Sequence, residues 1–363
     1  MKITAPKDEL VKYLSLVGRL STTRATLPIL QNIYLAVGKG VLTIKATDLE
    51  QTLEVNIDGE ALEDGQITVP ARMLVDYLQN VTDNKISLIA EDTTLKLEST
   101  HHQAKIKGQA AEDYPTLPKI NVQAEVTLES SVLSEAITKT IFAAASDETR
   151  PILTGLLFRF KGTELTIVGT DGYRLAYVKS TLATPLTGDY ILPKRSLQEL
   201  LRLLSLADQV TLAFAASQAR VRIGPLSFVT RVLDGSFPAY EAIVPKTKKI
   251  SLRLNAATLL QNLKLASLFS RDSAYSTKLE IDGNKLRIIS VSATLGENQN
   301  EMTLEKPVTE AFSIAANAQY LIDALTVMTD DIDLIFIDQK SPIVISLPNN
   351  DQYLYLVMPL RSE

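Results

Sequence analysis

The stretch Val69-Pro70-Ala71-Arg72-Met73-Leu74 decides the fold, because its pattern occurs twice more along the chain. Each copy places the end of a predicted strand directly before a predicted helix. The other copies are Leu192-Pro193-Lys194-Arg195-Ser196-Leu197 and Ile314-Ala315-Ala316-Asn317-Ala318-Gln319. The first residues of the three copies lie 123 and 122 residues apart. This spacing predicts one structural unit present three times in the chain.

Two further landmarks repeat with nearly the same spacing. The first is an opening strand that is followed by an apolar helix. The three opening strands start at Ile3, Val126 and Ile250, which lie 123 and 124 residues apart. The second is a later strand, which starts at Ile86, Val210 and Ile332, 124 and 122 residues apart. Three landmarks in near-constant register are not expected from chance similarity among α+β segments.

The repeated unit sets the expected fold class and domain organisation. Two helices and several antiparallel strands must bury their apolar faces against each other, so each unit is predicted to be an α+β domain. Loops with Pro118 and Pro245 precede the later opening strands, and the predicted domains are residues 1–121, 122–247 and 248–363. Equal domains that meet through the same contact can close into a ring, and exposed sheet edges offer such a contact.

Composition limits the possible classes of protein. Hydrophobic residues make up 45% of the 363 residues and charged residues 22%, so the whole chain is expected to fold. No apolar run is long enough to cross a bilayer, and the segment Met1–Pro6 lacks the hydrophobic stretch of a signal peptide. The absence of cysteine excludes disulfides and thiolate zinc sites. We therefore expect a cytoplasmic protein without a membrane partner.

The net charge of −5 does not by itself indicate binding to nucleic acid. Most nucleic-acid-binding domains are basic. Net charge is a sum, however, and the field at one surface decides whether phosphates are attracted there. The placement of Lys and Arg within the repeats is therefore the informative property.

Recognisable catalytic and metal-binding patterns are absent from the sequence. His101 and His102 have no cysteine or carboxylate nearby at metal-ligand spacing, so we interpret them as a surface pair. Asp48 and Asp171 lie 123 residues apart in Thr-Asp motifs, and we interpret them as turn caps rather than paired catalytic carboxylates. Phosphate-loop, nucleophile-elbow and dinucleotide motifs are also missing. We expect a non-catalytic protein with no metal and no cofactor.

Specific motifs occur in all three units. The first unit has Arg24-Ala25-Thr26-Leu27-Pro28-Ile29-Leu30, Thr47-Asp48-Leu49-Glu50 and Val69-Pro70-Ala71-Arg72. The second unit has Thr149-Arg150-Pro151-Ile152-Leu153-Thr154-Gly155, Thr170-Asp171-Gly172-Tyr173-Arg174-Leu175-Ala176 and Asp234-Gly235-Ser236-Phe237-Pro238-Ala239-Tyr240. The third unit ends in Val357-Met358-Pro359-Leu360-Arg361. In this order, the motifs resemble those of the bacterial DNA polymerase III beta subunit, the sliding clamp family.

The resemblance implies a specific assembly and function. Two three-domain chains would form a head-to-tail homodimeric ring with sixfold pseudo-symmetry. Helices would line the hole, continuous sheets would form the outside, and double-stranded DNA would pass through. The implied function is a processivity factor that tethers the DNA polymerase III alpha subunit. The clamp loader, other polymerases and repair proteins would also bind, through short linear peptides.

A clamp is expected to hold DNA through weak, sequence-independent contacts from Lys and Arg. The candidates on or beside the helices are Lys12, Arg19, Arg24, Arg72, Lys139, Arg150, Lys194, Arg195, Arg202, Lys264 and Arg271. Five of them also match basic positions of the family, namely Arg24, Arg72, Arg150, Lys194 and Arg195. Some relatives have aromatic residues after the Arg150 position, whereas this chain has Pro151 and Ile152, so we do not expect stacking on DNA there.

The resemblance also implies a peptide pocket between the second and third domains. Such a site needs apolar walls and a few polar groups that orient the ligand. The matching positions are Leu153, Thr170, Gly172, Tyr173, Arg174, Leu175, Pro238, Ile243, Leu356, Val357, Met358, Pro359 and Leu360. Tyr173 replaces a histidine and Ala242 an arginine of some relatives, and the tail Arg361-Ser362-Glu363 adds a terminal carboxylate absent from others.

The dimer contact and two other functions complete the expectations. Glu297 and Glu301 of one chain are expected to face Lys105 and Lys107 of the other. A repeat-built scaffold that never encircles DNA would lack recurring basic residues on its helices. A metal-dependent nucleic-acid enzyme would need clustered carboxylates or histidines.

Overall fold

The computed structural model of the protein describes residues 1–21, 27–115, 120–147 and 149–360. The first repeat contains helices α1 (Lys7–Val17) and α2 (Ala71–Asn80). Its strands are β1 (Lys2–Pro6), β2 (Asn32–Gly38), β3 (Val41–Thr47), β4 (Gln51–Asp58), β5 (Glu60–Glu63), β6 (Gly65–Pro70), β7 (Lys85–Glu91), β8 (Thr94–Glu98) and β9 (Gln103–Lys107).

The second repeat contains helices α3 (Ser130–Ile141) and α4 (Lys194–Leu203). Its strands are β10 (Ala124–Glu129), β11 (Gly155–Thr170), β12 (Arg174–Pro193), β13 (Gln209–Phe214), β14 (Gln218–Ile223) and β15 (Leu226–Arg231).

The third repeat contains helices α5 (Ala256–Ser267) and α6 (Ala318–Thr326). Its strands are β16 (Ile250–Asn255), β17 (Ser276–Ser292), β18 (Gly296–Asn317), β19 (Asp331–Phe336), β20 (Ile343–Leu347) and β21 (Asn350–Val357). A short 3-10 helix, Tyr240–Ile243, precedes this repeat. All three landmarks predicted from the sequence are confirmed in every repeat.

Local sequence explains where the helices begin and which face they bury. Asn255 and Asn317 cap α5 and α6, because their Oδ1 atoms accept hydrogen bonds from the backbone N–H of Thr258 and Tyr320 at 3.1 and 3.2 Å. In α2, the buried residues Ala71, Leu74 and Leu78 recur at helical spacing and form the face that packs on the core. Among the described residues, no helix is long and apolar enough to span a membrane.

Antiparallel sheets cross the boundaries between repeats. The described chain forms two compact units, one of Met1–Ser130 with Arg202–Val232 and one of Ser131–Leu201 with Leu233–Glu363. The first unit contains an eight-stranded sheet in which β15 of the second repeat pairs with β4 of the first. The second unit contains a six-stranded sheet in which β12 of the second repeat pairs with β21 of the third.

The compact units therefore differ from the three sequence repeats. The second repeat contributes β10 and β13–β15 to one unit and β11 and β12 to the other, because each group of strands is joined to a different neighbour. The predicted boundary at Pro118 lies outside the described residues. Pro245 lies in the segment between the 3-10 helix and β16.

The two Thr-Asp motifs are turn caps, as the sequence predicts. Oδ1 of Asp48 accepts hydrogen bonds from the N–H groups of Glu50 and Gln51 at 3.1 and 2.9 Å. Oδ1 of Asp171 accepts the equivalent bonds from Tyr173 and Arg174 at 2.9 and 3.0 Å. Each aspartate thus holds a tight turn between two strands of its repeat.

The two turns differ in the residue at the left-handed position. Gly172 occupies it in the second repeat with φ of +92°, whereas Leu49 occupies it in the first with φ of 76°. A left-handed conformation costs a non-glycine residue about 1–2 kcal/mol. Leu49 is 51% exposed, so little packing is gained in return.

We expect Leu49→Gly to raise the free energy of unfolding by about 1 kcal/mol, because it removes this backbone strain. Chemical denaturation of the two proteins would measure the change. Leu62 is 72% exposed in β5, and Leu62→Gly serves as the control, which should lower stability because that backbone is extended. A loss of stability in Leu49→Gly would contradict the strain at this turn.

Candidate DNA interface and peptide pocket

The basic candidates of the first repeat lie on α1, just after it, and at the start of α2. Lys12 is exposed on α1, with its Nζ 5.0 Å from the ring centroid of Tyr13. Arg72 is the second residue of α2, with a side chain 87% exposed and Nε 3.5 Å from Oδ2 of Asp76. Arg19 and Arg72 line the same cleft. Arg24 lies outside the described residues.

Basic residues lie in the first turn of both α2 and α4. Arg72 follows the first residue of α2, and Lys194 and Arg195 begin α4. A positive side chain there is opposed by the positive end of the helix dipole. The same end attracts phosphate oxygens through its free N–H groups. The arrangement is unfavourable for the isolated helix and favourable beside a phosphate chain.

Lys194 is anchored to the protein through its side chain. Its Nζ donates a hydrogen bond to the carbonyl oxygen of Ala144 at 3.0 Å. Burial, and then the nearby guanidinium of Arg174, lower the pKa of Lys194. Arg195 is exposed on α4. The two adjacent basic residues therefore differ in their exposure to solvent.

The remaining basic candidates lie in different surroundings. Lys139 forms an ion pair with Glu135 one turn earlier in α3, and its side chain is 18% exposed. Arg150 lies beside the Asp171 turn, because a Cβ on Gly172 would be 3.1 Å from its Nη1 atom. Exposed candidates near the ends of α4 and α5 are Arg202, Lys264 and Arg271.

The predicted peptide-pocket residues come together where β12 meets β21. The backbone N–H of Met358 donates to the carbonyl oxygen of Tyr173 at 2.8 Å, just beyond the paired residues Arg174 and Val357. Thr170 Oγ1 donates to the carbonyl oxygen of Arg174 at 2.6 Å and accepts from the N–H of Gly172 at 3.1 Å. The Asp171 turn and the end of β21 therefore lie side by side.

The apolar candidates divide into buried walls and an exposed rim. Leu175 and Leu356 are each 1% exposed and belong to a core cluster that also contains Tyr240 and Val344. The other buried candidates are Leu153, Thr170 and Val357. The rim residues Tyr173, Ile243 and Met358 are 65%, 48% and 39% exposed. Pro238 is exposed, and Pro359 and Leu360 are half-buried. The rim side chains are open to solvent, whereas the wall residues belong to the buried interior beneath them.

Arg174 is held by the third repeat as well as by its own turn. Its Nε donates to Oδ2 of Asp171 at 2.9 Å, and its Nη1 donates to Oδ2 of Asp323 on α6 at 2.5 Å. The guanidinium carbon lies 4.3 Å from the ring centroid of Tyr320, and the Arg174 side chain is 12% exposed. Sequence reasoning missed Tyr320 and Asp323, because nothing local marks their contact with a residue about 150 positions away. The sequence shows only Asn317, which caps the helix that carries Tyr320 and Asp323.

The junction between the first and second repeats has the same backbone contact with different side chains. There, the N–H of Arg231 donates to the carbonyl oxygen of Glu50 at 3.1 Å, in the same place as the Met358–Tyr173 bond. The side chains of Arg231 and Glu50 form an ion pair with an N–O distance of 3.0 Å. Charged partners cover the first junction, whereas Tyr173 and Met358 leave an apolar rim at the second.

The histidine pair has a structural partner. Nδ1 of His101 lies 2.8 Å from Oδ1 of Asp83, and hydrogen bonds from Ser99 and His101 lower the pKa of Asp83. Nε2 of His102 lies 3.5 Å from Oγ1 of Thr82. Within the described ranges, no group of three or more His, Asp or Glu residues is arranged to hold a metal ion.

Comparisons with known proteins agree along the chain. Models of the DNA polymerase III beta subunit match residues 1–118 as its N-terminal domain, 127–239 as its central domain and 241–361 as its C-terminal domain. The beta sliding clamp of Vibrio cholerae is 29% identical over 367 residues, covering 99% of this chain and 100% of that protein.

Solved structures give the same result. A sliding clamp from Pseudomonas aeruginosa bound to griselimycin is 28% identical with a TM-score of 0.94, covering 100% of both chains. The Caulobacter crescentus beta sliding clamp, with PEG bound to its proposed beta-motif tethering region, is 27% identical with a TM-score of 0.93 and also covers 100% of both chains.

Three repeated α+β domains joined edge to edge, with basic helix ends and an apolar junction, define a DNA clamp. The chain belongs to the family of bacterial DNA polymerase III beta subunits, the beta sliding clamps. Its function is that of a DNA sliding clamp, a non-catalytic processivity factor.

We expect Asp323→Ala to lower the free energy of unfolding by about 2 kcal/mol, because it leaves the largely buried Arg174 with one carboxylate. Denaturant titration would measure the loss. Gln319 donates to the other oxygen of Asp323, so Gln319→Ala is the matched control, with an expected loss below about 1 kcal/mol. Equal losses in both variants would show that Arg174 does not depend on Asp323.

Proposed function

We propose that this chain closes with a second copy into a head-to-tail ring around double-stranded DNA. In this role it is the processivity subunit of a DNA polymerase III holoenzyme. It tethers the alpha subunit, the clamp loader and other polymerases and repair proteins through short peptides. The observation that supports ring closure most directly is the repeated edge-to-edge pairing of strands.

Two of three equivalent junctions are formed within the chain. β4 of the first repeat pairs with β15 of the second, and the start of β12 pairs with β21 of the third. The equivalent strands left over are β9 in the first repeat and the start of β18 in the third. A sheet edge with unpaired backbone groups favours pairing with another chain. Head-to-tail pairing of β9 with β18 of a second copy uses both edges and closes the ring.

The registers within the sheets specify the residues at this contact. Val229 pairs with Thr52 at the first junction, and Leu356 pairs with Leu175 at the second. Lys105 on β9 pairs with Lys96 on β8, and Val229 on β15 pairs with Arg220 on the equivalent strand β14. Lys105 is therefore the structural equivalent of Val229, and of Leu356 in the third repeat. Glu297 on β18 pairs with Val291 on β17, and Thr52 on β4 pairs with Thr47 on β3. Glu297 is therefore the structural equivalent of Thr52, and of Leu175 in the second repeat. The proposal therefore places Lys105 opposite Glu297 of the partner chain.

Glu301 is less available for this contact than Glu297. Its carboxylate lies 2.8 Å from Nζ of Lys285 and 3.2 Å from Nε of Arg287 within the same chain. Of the expected charged contacts, the pair Lys105–Glu297 is therefore the one that the equivalent strand registers support.

Exposed leucines beside this edge support the same assignment. The residue directly after α3 is Phe142, and its ring centroid lies 5.5 Å from that of Tyr355 in the third repeat. Leu268 occupies the equivalent place directly after α5 and is 45% exposed, and Leu265 is 44% exposed. A partner at β18 would cover these side chains, as Tyr355 covers Phe142.

Electrostatics support DNA in the ring. Arg72, Lys194 and Arg195 repeat at the starts of equivalent helices, and Lys264 lies in the last turn of α5. The carboxylates of Asp76 on α2 and Glu135 on α3 pair with Arg72 and Lys139 and keep the net attraction weak. A sliding contact requires this weakness, because a strong local site would hold the protein at one position on DNA.

Charge reversal tests the proposed dimer contact. We expect Lys105→Glu and Glu297→Lys each to weaken dimerisation at least tenfold, because like charges would then face each other across paired strands. The double variant should recover most of the lost affinity. Analytical ultracentrifugation measures the dimer dissociation constant. Arg222→Glu, an exposed change on β14, is the matched control that should leave dimerisation unaltered. Unchanged single variants, or a double variant without recovery, would contradict this register.

Topology tests the clamp function itself. We expect protein loaded on circular duplex DNA by a clamp loader to remain bound at about 1 M salt, where electrostatic contacts are screened. Cutting the circle should release it within the time of sliding to an end. Lys105→Glu should show reduced retention on the intact circle because its ring opens. Equal retention on circular and linear DNA would contradict an encircling ring.

A further inference from the structure

A basic cavity lies close to the peptide pocket in the second unit. Its volume is about 240 Å3, and it is lined by parts of β11, β12 and the chain around the 3-10 helix Tyr240–Ile243. The basic and aromatic residues that line it are Arg159, Lys161, Tyr177, Lys179, Tyr240 and Lys246. The sheet supplies its floor through Tyr177, whose ring centroid is 6.4 Å from that of Tyr240.

Among the side chains that line this cavity, four are positive and two, Glu164 and Glu241, are negative. The carboxylate of Asp351 also acts on Tyr177, whose pKa is raised first by burial and then by this carboxylate. Arg159 is neutralised by Asp189, 2.8 Å away, and by Glu241. Lys179 is 3.4 Å from Glu164, and Lys161 is 3.9 Å from Glu241, which already binds Arg159. Lys246 has no carboxylate within 4.0 Å in the described part of the chain.

Two chain segments carry both pocket residues and residues that line the cavity. Leu175 and Tyr177 are two residues apart on β12, so their side chains lie on the same face about 7 Å apart. Ile243 forms part of the pocket rim, and the next residue, Val244, lines the cavity. An extended peptide advances about 3.3 Å per residue, so two to four residues bridge the distance.

This cavity faces away from the candidate DNA contacts on α3. Gly169 and its partner Ala176 face that helix, since a Cβ on Gly169 would meet the carbonyl oxygen of Thr140 at 2.5 Å. Val168 and its partner Tyr177 are one residue further along and point to the opposite face. A duplex held along α3 would not reach the lysines of the cavity.

We propose that the basic cavity binds aspartate or glutamate side chains flanking the apolar anchors of a peptide in the pocket. The inference rests on the proposed peptide pocket and adds a specificity element to it. Lysines provide mobile point charges suited to carboxylates that vary in position. Because Lys161 and Lys246 are exposed and Lys179 is partly exposed, each contact is weak and sensitive to salt.

The test uses the full chain and three synthetic peptides with the same leucine- and phenylalanine-containing core. One has neutral flanks, one has two aspartates before the core, and one has two aspartates after it. We expect one acidic flank to raise affinity about three- to fivefold at 50 mM salt, as measured by fluorescence anisotropy. The gain should nearly vanish at 500 mM salt.

Two triple variants locate the effect. Lys161→Gln/Lys179→Gln/Lys246→Gln should remove the gain while leaving the neutral peptide bound as before. Lys39→Gln/Lys85→Gln/Lys278→Gln makes the same change in net charge elsewhere on exposed lysines and should keep the gain. Met358→Ala should weaken all three peptides, because it alters the pocket rim.

The outcomes separate this inference from the pocket itself. A neutral peptide that binds the wild type and responds to Met358→Ala, but gains nothing from either acidic flank, overturns the cavity assignment alone. Failure of every peptide to bind overturns both assignments. A cavity variant that weakens retention on circular DNA and leaves the acidic gain intact would identify a DNA contact instead.

Discussion

The pairing of sheet edges between repeats is the constraint on which the rest of the structure depends. Backbone N–H and C=O groups at an edge need partners, and antiparallel pairing supplies them without regard to side chains. The same pairing therefore serves the junction of β4 with β15 and that of β12 with β21, although their side chains differ. The repeat cannot satisfy its edges alone, and this makes each domain dependent on a neighbour.

Because the backbone maintains the junctions, their side chains are free to diverge. The equivalent backbone hydrogen bonds join Arg231 to Glu50 and Met358 to Tyr173. An ion pair closes over the first, and exposed apolar groups lie over the second. At the second junction, Arg174 takes over the anchoring role by binding carboxylates from two repeats. An ion-paired base under an exposed methionine, whose side chain can adopt many shapes, is consistent with the proposed binding of varied peptides.

The net charge of this protein does not describe the charge at its individual surfaces. The net charge is −5, yet the first turns of α2 and α4 carry arginine and lysine where a helix dipole disfavours them. Carboxylates on α2 and α3, those of Asp76 and Glu135, reduce the attraction without abolishing it. Lysines on the sheet face around Tyr177 form a separate basic surface. A single net charge thus conceals two groups of basic residues, for which we propose different uses.

The sequence by itself determined the threefold repeat, the helices and the opening strands, because these depend on local periodicity and turn chemistry. It also identified Asp48 and Asp171 as turn caps, since an Asx cap forms within three residues. Family motifs gave the pocket positions as a set. They did not separate the buried walls Leu175 and Leu356 from the exposed rim Tyr173 and Met358.

Only the tertiary structure decided which strands join across repeats and which side chains meet there. Asp323 and Tyr320 hold Arg174 from about 150 residues away, and the division of the second repeat between two compact units has no local signature. Lys194 and Arg195 are neighbours in sequence, yet one donates to Ala144 and the other is exposed. Such differences arise from packing between segments that are distant in sequence. A local sequence pattern does not indicate which distant segment will pack against it.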